Sequence, residues 1–495
     1  MLLWVCCRLS LTKMSFFLKG KAKGKPTKRK AGDDRKPGEF MKRKAQAKER
    51  KRNLQLQKIQ VESESEVESD DEGNKKVDET FSSDEETAQE KRLRLTKQYL
   101  AQLEEQDKED EDEGEDADKD IVAEKLKEDV LEQSGRLQRQ VARDYIPPTG
   151  EDILVLKGHK LSITCLVISP DSKHVYTGSK DCSIIKWSTE TGKKVHVISG
   201  GRKGTEEKHV GHTGHVMAIS ISSDNKFLAT GCRNKLIHIW DPSDCHLIHT
   251  FKGHRDAIAG LAFRKGSHDL FSASHDRSVK IWNLDEMAYV ETLFGHQDSI
   301  TGIDSLTRQR AITAGGRDGS IRIWKVVEES QLVFHGHSGS IDCVRFINEQ
   351  NFLSGADDGS VALWSLMKKK PSTLIKNAHR QASLTQTKER TLSEQNWITS
   401  VAALHNTDLV ASAGSKDSSI RLWQCGPGCR SLIPLFNIPV VGFVNALEFS
   451  DDGSLLVAGV GQEHRLGRWW SMKQAKNSVV IVKLKKSVKK QVADL

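Results

Sequence analysis

The chain has 495 residues, with 76 Lys and Arg against 68 Asp and Glu, for a formal net charge of +8. That length exceeds one small domain, and no apolar run reaches the roughly 20 residues a membrane-spanning helix needs. The nine cysteines are scattered, and Cys165, Cys182, Cys232 and Cys343 fall in apolar strand patterns, so they read as reduced thiols rather than a disulfide framework.

In the opening residues, MLLWVCCRLSLTKM, charge follows the apolar stretch, the reverse of a secretory signal, and Met14 reads as an alternative start. From Lys19 to Arg52 there are 16 Lys or Arg against four acids, a block that resembles a nuclear localisation signal and implies a nuclear import receptor as partner. An acidic run, VESESEVESDDEG, follows from Val61 to Gly73. Its serines, with those of SSDEE, are candidate phosphorylation sites: Ser63, Ser65, Ser69, Ser82 and Ser83. Residues 1–85 are therefore expected to form a disordered tail, basic and then acidic.

Residues 86–150 read as a helical and acidic linker region. Thr87 with Glu90 three residues on is a capping-box pattern. A second helix is predicted over Asp120–Tyr145, where Val122, Leu126, Val130, Leu137 and Val141 fall at helical intervals. Glu104 to Asp120 holds 12 acids against two lysines, and Pro147-Pro148 marks a boundary.

Beyond it a unit recurs. His254, Asp276 and Trp282 sit in a frame in which the tryptophan lies 28 residues after the histidine and six after the aspartate. His159, Asp181 and Trp187 repeat it, as do His296, Asp318 and Trp324. His337, Asp358 and Trp364 repeat it one residue shorter, and His212 and Trp240 keep it with Asn234 in the aspartate slot. His379, Asp417 and Trp423 form a looser copy, and Glu463 with Trp469 reads as the last. Short runs such as DLFSAS and SVKIWN, rich in β-branched and aromatic residues, separate the turn residues. A period near 40 with Gly-His opening and Trp closing resembles the WD40 repeat family.

The resemblance implies an all-β fold over residues 151–486, a seven-bladed WD40 β-propeller, with 487–495 a basic C-terminal tail. It also implies that the histidine, a strand hydroxyl, the aspartate and the tryptophan form a structural hydrogen-bonded tetrad inside each blade. Those roles fall on His254, Ser272, Asp276 and Trp282, on His159, Thr177, Asp181 and Trp187, and on His337, Ser354, Asp358 and Trp364. Blade four places Ala314 where the hydroxyl belongs, so its tetrad is expected to be incomplete. Consecutive Ser274-His275-Asp276 is no catalytic triad, because neighbours on a strand point to opposite faces. Cys425-Gly-Pro-Gly-Cys429 lacks a second ligand pair at zinc-site spacing, so neither metal nor cofactor is expected. DILVL and SVVIVKL both suit the outer strand of blade seven.

Residues 151–495 carry 44 basic against 34 acidic side chains, a balance that favours a polyanionic partner. Lys180, Arg233, Lys235, Arg277, Arg317 and Lys416 flank the turn-aspartate slots, and Lys160 and Arg255 follow Gly-His, which predicts a basic rim on one face. His464, Arg465 and Arg468 lie beside Trp469 and Trp470, a pairing suited to RNA backbone and stacking contacts.

ETAQEKRLRL, KLKEDVLEQSGRLQ, YVETLFGHQD, SGADDGSVALW and VAGVGQEHRLGRWW together resemble the family of U3 small nucleolar RNA-interacting WD-repeat proteins. That resemblance implies a non-enzymatic RNA-binding scaffold in the nucleus and nucleolus. Its implied partners are the box B/C element of the U3 small nucleolar RNA, the kink-turn-binding core protein of the ribonucleoprotein, and other proteins of the small-subunit processome, where pre-ribosomal RNA is processed. The alternative is a propeller that bridges proteins only, such as a ubiquitin-ligase substrate receptor. Those often carry Trp-Asp-x-Arg, whereas here Trp240-Asp241 precedes Pro242-Ser243.

Overall fold

The computed structural model describes residues 115–487 except 203, 205–208, 380–395, 416 and 468–470. The basic tract, the candidate phosphorylation sites, the Thr87 helix, Lys416, Arg468, Trp469, Trp470 and the final eight residues lie outside the described residues.

Short β-branched runs punctuated by turns produce seven antiparallel four-stranded sheets. In blade three the strands Ile258–Phe263, Asp269–Ser274, Ser278–Asn283 and Ala288–Phe294 pair in sequence order. One such sheet leaves both faces apolar, so each blade packs on its neighbours. Ile237, Ile239 and Phe251 of blade two meet Ile258, Leu261, Leu270 and Trp282 of blade three in one buried cluster. Blade seven closes the ring with both candidate strands. It takes Phe443–Phe449, Leu455–Gly461 and Ser478–Lys483 from the end of the chain, and Ile153–Lys157 from upstream of blade one as its outer strand.

The tetrad geometry explains the repeated residues. The Asp276 carboxylate lies 3.0 Å from His254 Nδ1, and Ser272 Oγ lies 2.7 Å from Nε2. A carboxylate only accepts, so Nδ1 carries the ring proton and Nε2 accepts the serine hydroxyl. Trp282 Nε1 donates to the same Ser272 oxygen at 2.8 Å. His159, Thr177 and Trp187 repeat this in blade one, where Asp181 accepts from the Lys160 backbone N–H. In blade five His337 Nδ1 turns to Ser360 Oγ at 2.7 Å, and Asp358 holds the Ser338 and Ser360 N–H groups instead.

Blade four corrects an expectation. Its tetrad is complete, because Thr313, not position 314, lies 2.8 Å from His296 Nε2 and accepts from Trp324 Nε1 at 2.9 Å. One extra residue between hydroxyl and aspartate shifts the frame. Blade two is the incomplete one: Asn234 donates to Thr213, and His212 Nδ1 is buried with no partner. Blade seven departs further. Its third strand is Ser478–Lys483, where Val482 pairs with Leu456 as Trp364 pairs with Phe352 in blade five. Val482 therefore fills the tryptophan slot that the spacing assigns to Trp469, which lies outside the described residues.

The second predicted helix is shorter than its pattern. It spans Glu115–Ser134 and ends at Gly135, whose φ of 72° allows the Arg136 N–H to reach the Leu131 carbonyl. Leu137, Ala142 and Tyr145 are then buried in a segment crossing the turns between the first and second strands of successive blades. Asn348 donates to the Leu137 carbonyl, Arg139 bridges to Thr407, the Val141 and Ala142 N–H groups share Asp408 Oδ1, and Tyr145 donates to the Gly453 carbonyl. Tyr145–Ile146 finally pairs with Lys485–Lys486.

Candidate nucleic-acid interface

In an antiparallel blade the turn between strands two and three points to the end opposite the turns crossed by residues 137–146. At that end Arg233 and Lys235 of blade two, Arg277 of blade three and Arg317 of blade four are exposed, with Arg255 and Lys160 from the loops entering blades three and one. The residue after the aspartate slot is left-handed in six blades: Cys182, Lys235, Arg277, Gly319, Gly359 and Ser418 have φ between 52° and 74°. Blades four and five use glycine there, which has no Cβ to clash. Lys235 and Arg277 adopt the same conformation at a cost of about 1–2 kcal/mol per residue.

Three other residues of the expected basic surface are engaged internally. Lys180 shares the rim's sequence slot but is 8% exposed, with Nζ 3.0 Å from Glu463 Oε1 and 2.6 Å from the His464 carbonyl. His464 is buried, and burial, with Arg465 and Lys180 nearby, depresses its pKa to about 3. Arg465 reaches over the mouth of the central channel, a cavity of about 410 Å³, and donates to the Thr301 and Asp342 carbonyls at 3.0 and 2.7 Å. Burial raises the Asp342 carboxyl to about 7, opposed by the Arg465 charge. These positions correct the reading of Lys180, His464 and Arg465 as solvent-facing cations: the connection after residue 461 folds back over the channel and ties them into it.

Trp397 was not marked by the repeat frame because it precedes the first strand of blade six. It is half-buried with its ring 5.9 Å from that of His464, edge to face. A tryptophan outside the closing slot was the available signal. Among the described residues no group of three His, Cys, Asp or Glu side chains could hold a metal, and no helix is long and apolar enough to cross a membrane.

Comparison with known proteins agrees with this architecture. The family "WD domain, G-beta repeat" matches at residues 150–188, 204–241, 245–283, 287–325, 328–365 and 386–424. The chain is similar to the human "U3 small nucleolar RNA-interacting protein 2", 62% identical over 402 residues, covering 81% of this chain and 83% of that protein. The chain belongs to this family of WD40 proteins. A more distant member, "Ribosomal RNA-processing protein 9" of Saccharomyces cerevisiae, is 26% identical over 81% of this chain and 89% of its own length. The solved "Structure of U3-55K" superposes with a TM-score of 0.65 at 57% identity, covering 68% of this chain and all of that one. The family's repeat pattern ends at residue 424, as expected where Val482 replaces the closing tryptophan of blade seven.

Proposed function

We propose that this chain is a non-enzymatic RNA-binding scaffold of the U3 small nucleolar ribonucleoprotein, acting in the nucleolus in pre-ribosomal RNA processing. On this reading it engages box B/C of the U3 RNA together with the kink-turn-binding core protein and joins other proteins of the small-subunit processome. The observation that carries the proposal is the exposed arc of Arg233, Lys235, Arg255, Arg277 and Arg317 on one end of the ring, two of them held at strained backbone positions. The names of the relatives support the choice of RNA. The polar groups of catalytic residue types, His254 and Asp276 among them, are bound to one another within the blades.

The test is charge reversal at Arg233, Arg277 and Arg317 together, with binding measured to box B/C RNA carrying the kink-turn protein. None of the three belongs to a tetrad, so folding is expected to survive. Affinity should fall, and the slope of log affinity against log salt should flatten by about 0.7–0.9 per lost phosphate contact. An unchanged slope with normal entry into the particle would refute the proposal and favour a protein-only scaffold. Reversal at Arg465 is a poor probe, since it breaks the channel mouth. Nuclear import through the Lys19–Arg52 tract is tested by deleting residues 1–85, which should misplace the protein in cells while leaving a folded propeller.

A further inference from the structure

The turn between strands three and four of blade six is Cys425-Gly426-Pro427-Gly428-Cys429. Cys425 ends the strand Ser419–Cys425, and Cys429 closes the turn at a φ of 52° after Gly428 at 63°. The Cys429 N–H returns to the Gly426 carbonyl at 3.0 Å, and the Gly426 N–H reaches the Ser431 carbonyl at 2.9 Å. This folding buries both side chains in one apolar cluster, four residues apart across a single turn. They are 1% and 0% exposed, but Pro427 and Gly428 between them are exposed. The pair thus lies beneath a turn whose two middle residues reach the surface.

That turn is also where the incoming segment is held. The side-chain amide of Gln138 donates to the Cys425 and Gly426 carbonyls, each at 3.2 Å, and its oxygen accepts from the Gly428 N–H at 3.0 Å. One residue further, the Arg139 N–H donates to the Asn406 carbonyl, and the Val141 and Ala142 N–H groups follow onto Asp408. The backbone of the thiol-bearing turn therefore supplies all three contacts of the Gln138 amide.

We propose that Cys425 and Cys429 form a reversible dithiol–disulfide site that controls the hold of residues 137–142 on blade six. The oxidant is a low-molecular-weight disulfide of the glutathione class. One cysteine, as thiolate, attacks a sulfur of oxidised glutathione, forms a mixed disulfide and expels one glutathione thiolate. The second cysteine, deprotonated in turn, displaces the other. Two protein thiols and one glutathione disulfide become one protein disulfide and two glutathione thiols, the protons passing to the leaving groups. Closure brings the sulfurs to about 2.05 Å, which reshapes a turn of three residues and displaces the carbonyls gripped by Gln138. Both thiols are buried, and the neighbouring Cys429 and burial hold the Cys425 pKa well above its ordinary value, so reaction requires the turn at exposed Pro427 and Gly428 to open.

Sequence makes the test direct. Arg421 and Arg430 flank the pair, so trypsin releases the peptide Leu422–Arg430 with both cysteines and no others. The full chain is treated with oxidised glutathione, and that peptide is mapped by mass spectrometry beside hydrogen exchange of Arg139, Val141 and Ala142. The expected result is a peptide lighter by two hydrogens that resists alkylation until reduced, with exchange at the three amides raised at least tenfold. Cys429→Ser should give neither the bridged peptide nor the rise, and Gln138→Ala should raise exchange without oxidant. A peptide still alkylated twice after treatment overturns the proposal, as does a bridged peptide with unchanged exchange.

Discussion

Replacing Asp276 with alanine separates scaffold from ligand contact. The carboxylate accepts from His254 Nδ1 at 3.0 Å, the Arg255 N–H at 2.8 Å, the Ser278 N–H at 3.0 Å and the Ser278 hydroxyl at 2.6 Å. Arg255 is exposed, so water replaces the carboxylate at its N–H at little cost. The His254 side chain is 1% exposed, and its Nδ1–H would be left buried without an acceptor, a loss of about 1–3 kcal/mol. The half-satisfied Ser278 adds about 1 kcal/mol, for a total near 2–4 kcal/mol. In a domain this large each kcal/mol moves Tm by about 2 °C, so a fall of about 4–8 °C is expected by differential scanning calorimetry. RNA affinity measured well below the transition should be unchanged. An unaltered Tm with lost RNA binding would refute the scaffold assignment and make Asp276 part of the interface.

Other consequences follow from individual residues. Asn234→Asp offers His212 Nδ1 the acceptor it lacks, and should raise Tm by about 2 °C on the same scale; a fall would mean that the buried charge outweighs the new bond. Arg277→Gly removes a left-handed residue with a Cβ, and should stabilise by up to about 1 kcal/mol after the entropy of glycine is subtracted, while weakening RNA binding; both are read from urea titration and a salt-dependent binding series. Asp318 is buried, which opposes ionisation, but bonds from His296 and Ser320 lower its pKa to about 2. Its folded pKa is thus depressed, so its contribution is full above pH 4 and disappears as the pH falls toward 2; Asp318→Asn should flatten that limb of the stability curve. His268 lies 2.8 Å from Asp224 and also bonds Asp285, and these bonds raise its pKa. Its contribution is present below about pH 6.5 and is lost at higher pH, so His268→Gln should reduce the advantage of mildly acidic over alkaline conditions in thermal melts.

Most of the ring could be read from one-dimensional spacing because each tetrad is built within a single blade. His254, Ser272, Asp276 and Trp282 are 28 residues from first to last and meet inside one sheet. Counting fails at Thr313 from either end: the hydroxyl lies 17 residues after His296 against 18 after His254, and eleven before Trp324 against ten before Trp282. Strand three carries the tryptophan in fixed pairing with strand two, whereas the turn between them gains residues freely. Counting intervals alone also gives the closing slot of blade seven to Trp469, whereas Val482 fills it. Residues 137–146 escaped because their binding is set by carbonyls and by Asp408 in distant blades, contacts that leave no periodic trace.

The basic rim shows where such reading stops. Lys180 and Arg277 flank the same aspartate slot, one before and one after it, and as sequence both are cations in a polar turn. Arg277 occupies the left-handed position after the aspartate, and it is exposed. Lys180 sits at the seam between blade one and blade seven, where the connection between residues 461 and 478 brings Glu463 and the His464 carbonyl to its ammonium. That connection departs from the repeat in the one blade assembled from both ends of the domain. Charge at the seam is thereby spent on closing the ring, through Lys180 beside blade one and Arg465 across the channel to Thr301 and Asp342. Arg233, Lys235, Arg277 and Arg317 on blades two to four are exposed, and they are the cations that the proposed RNA contact would use.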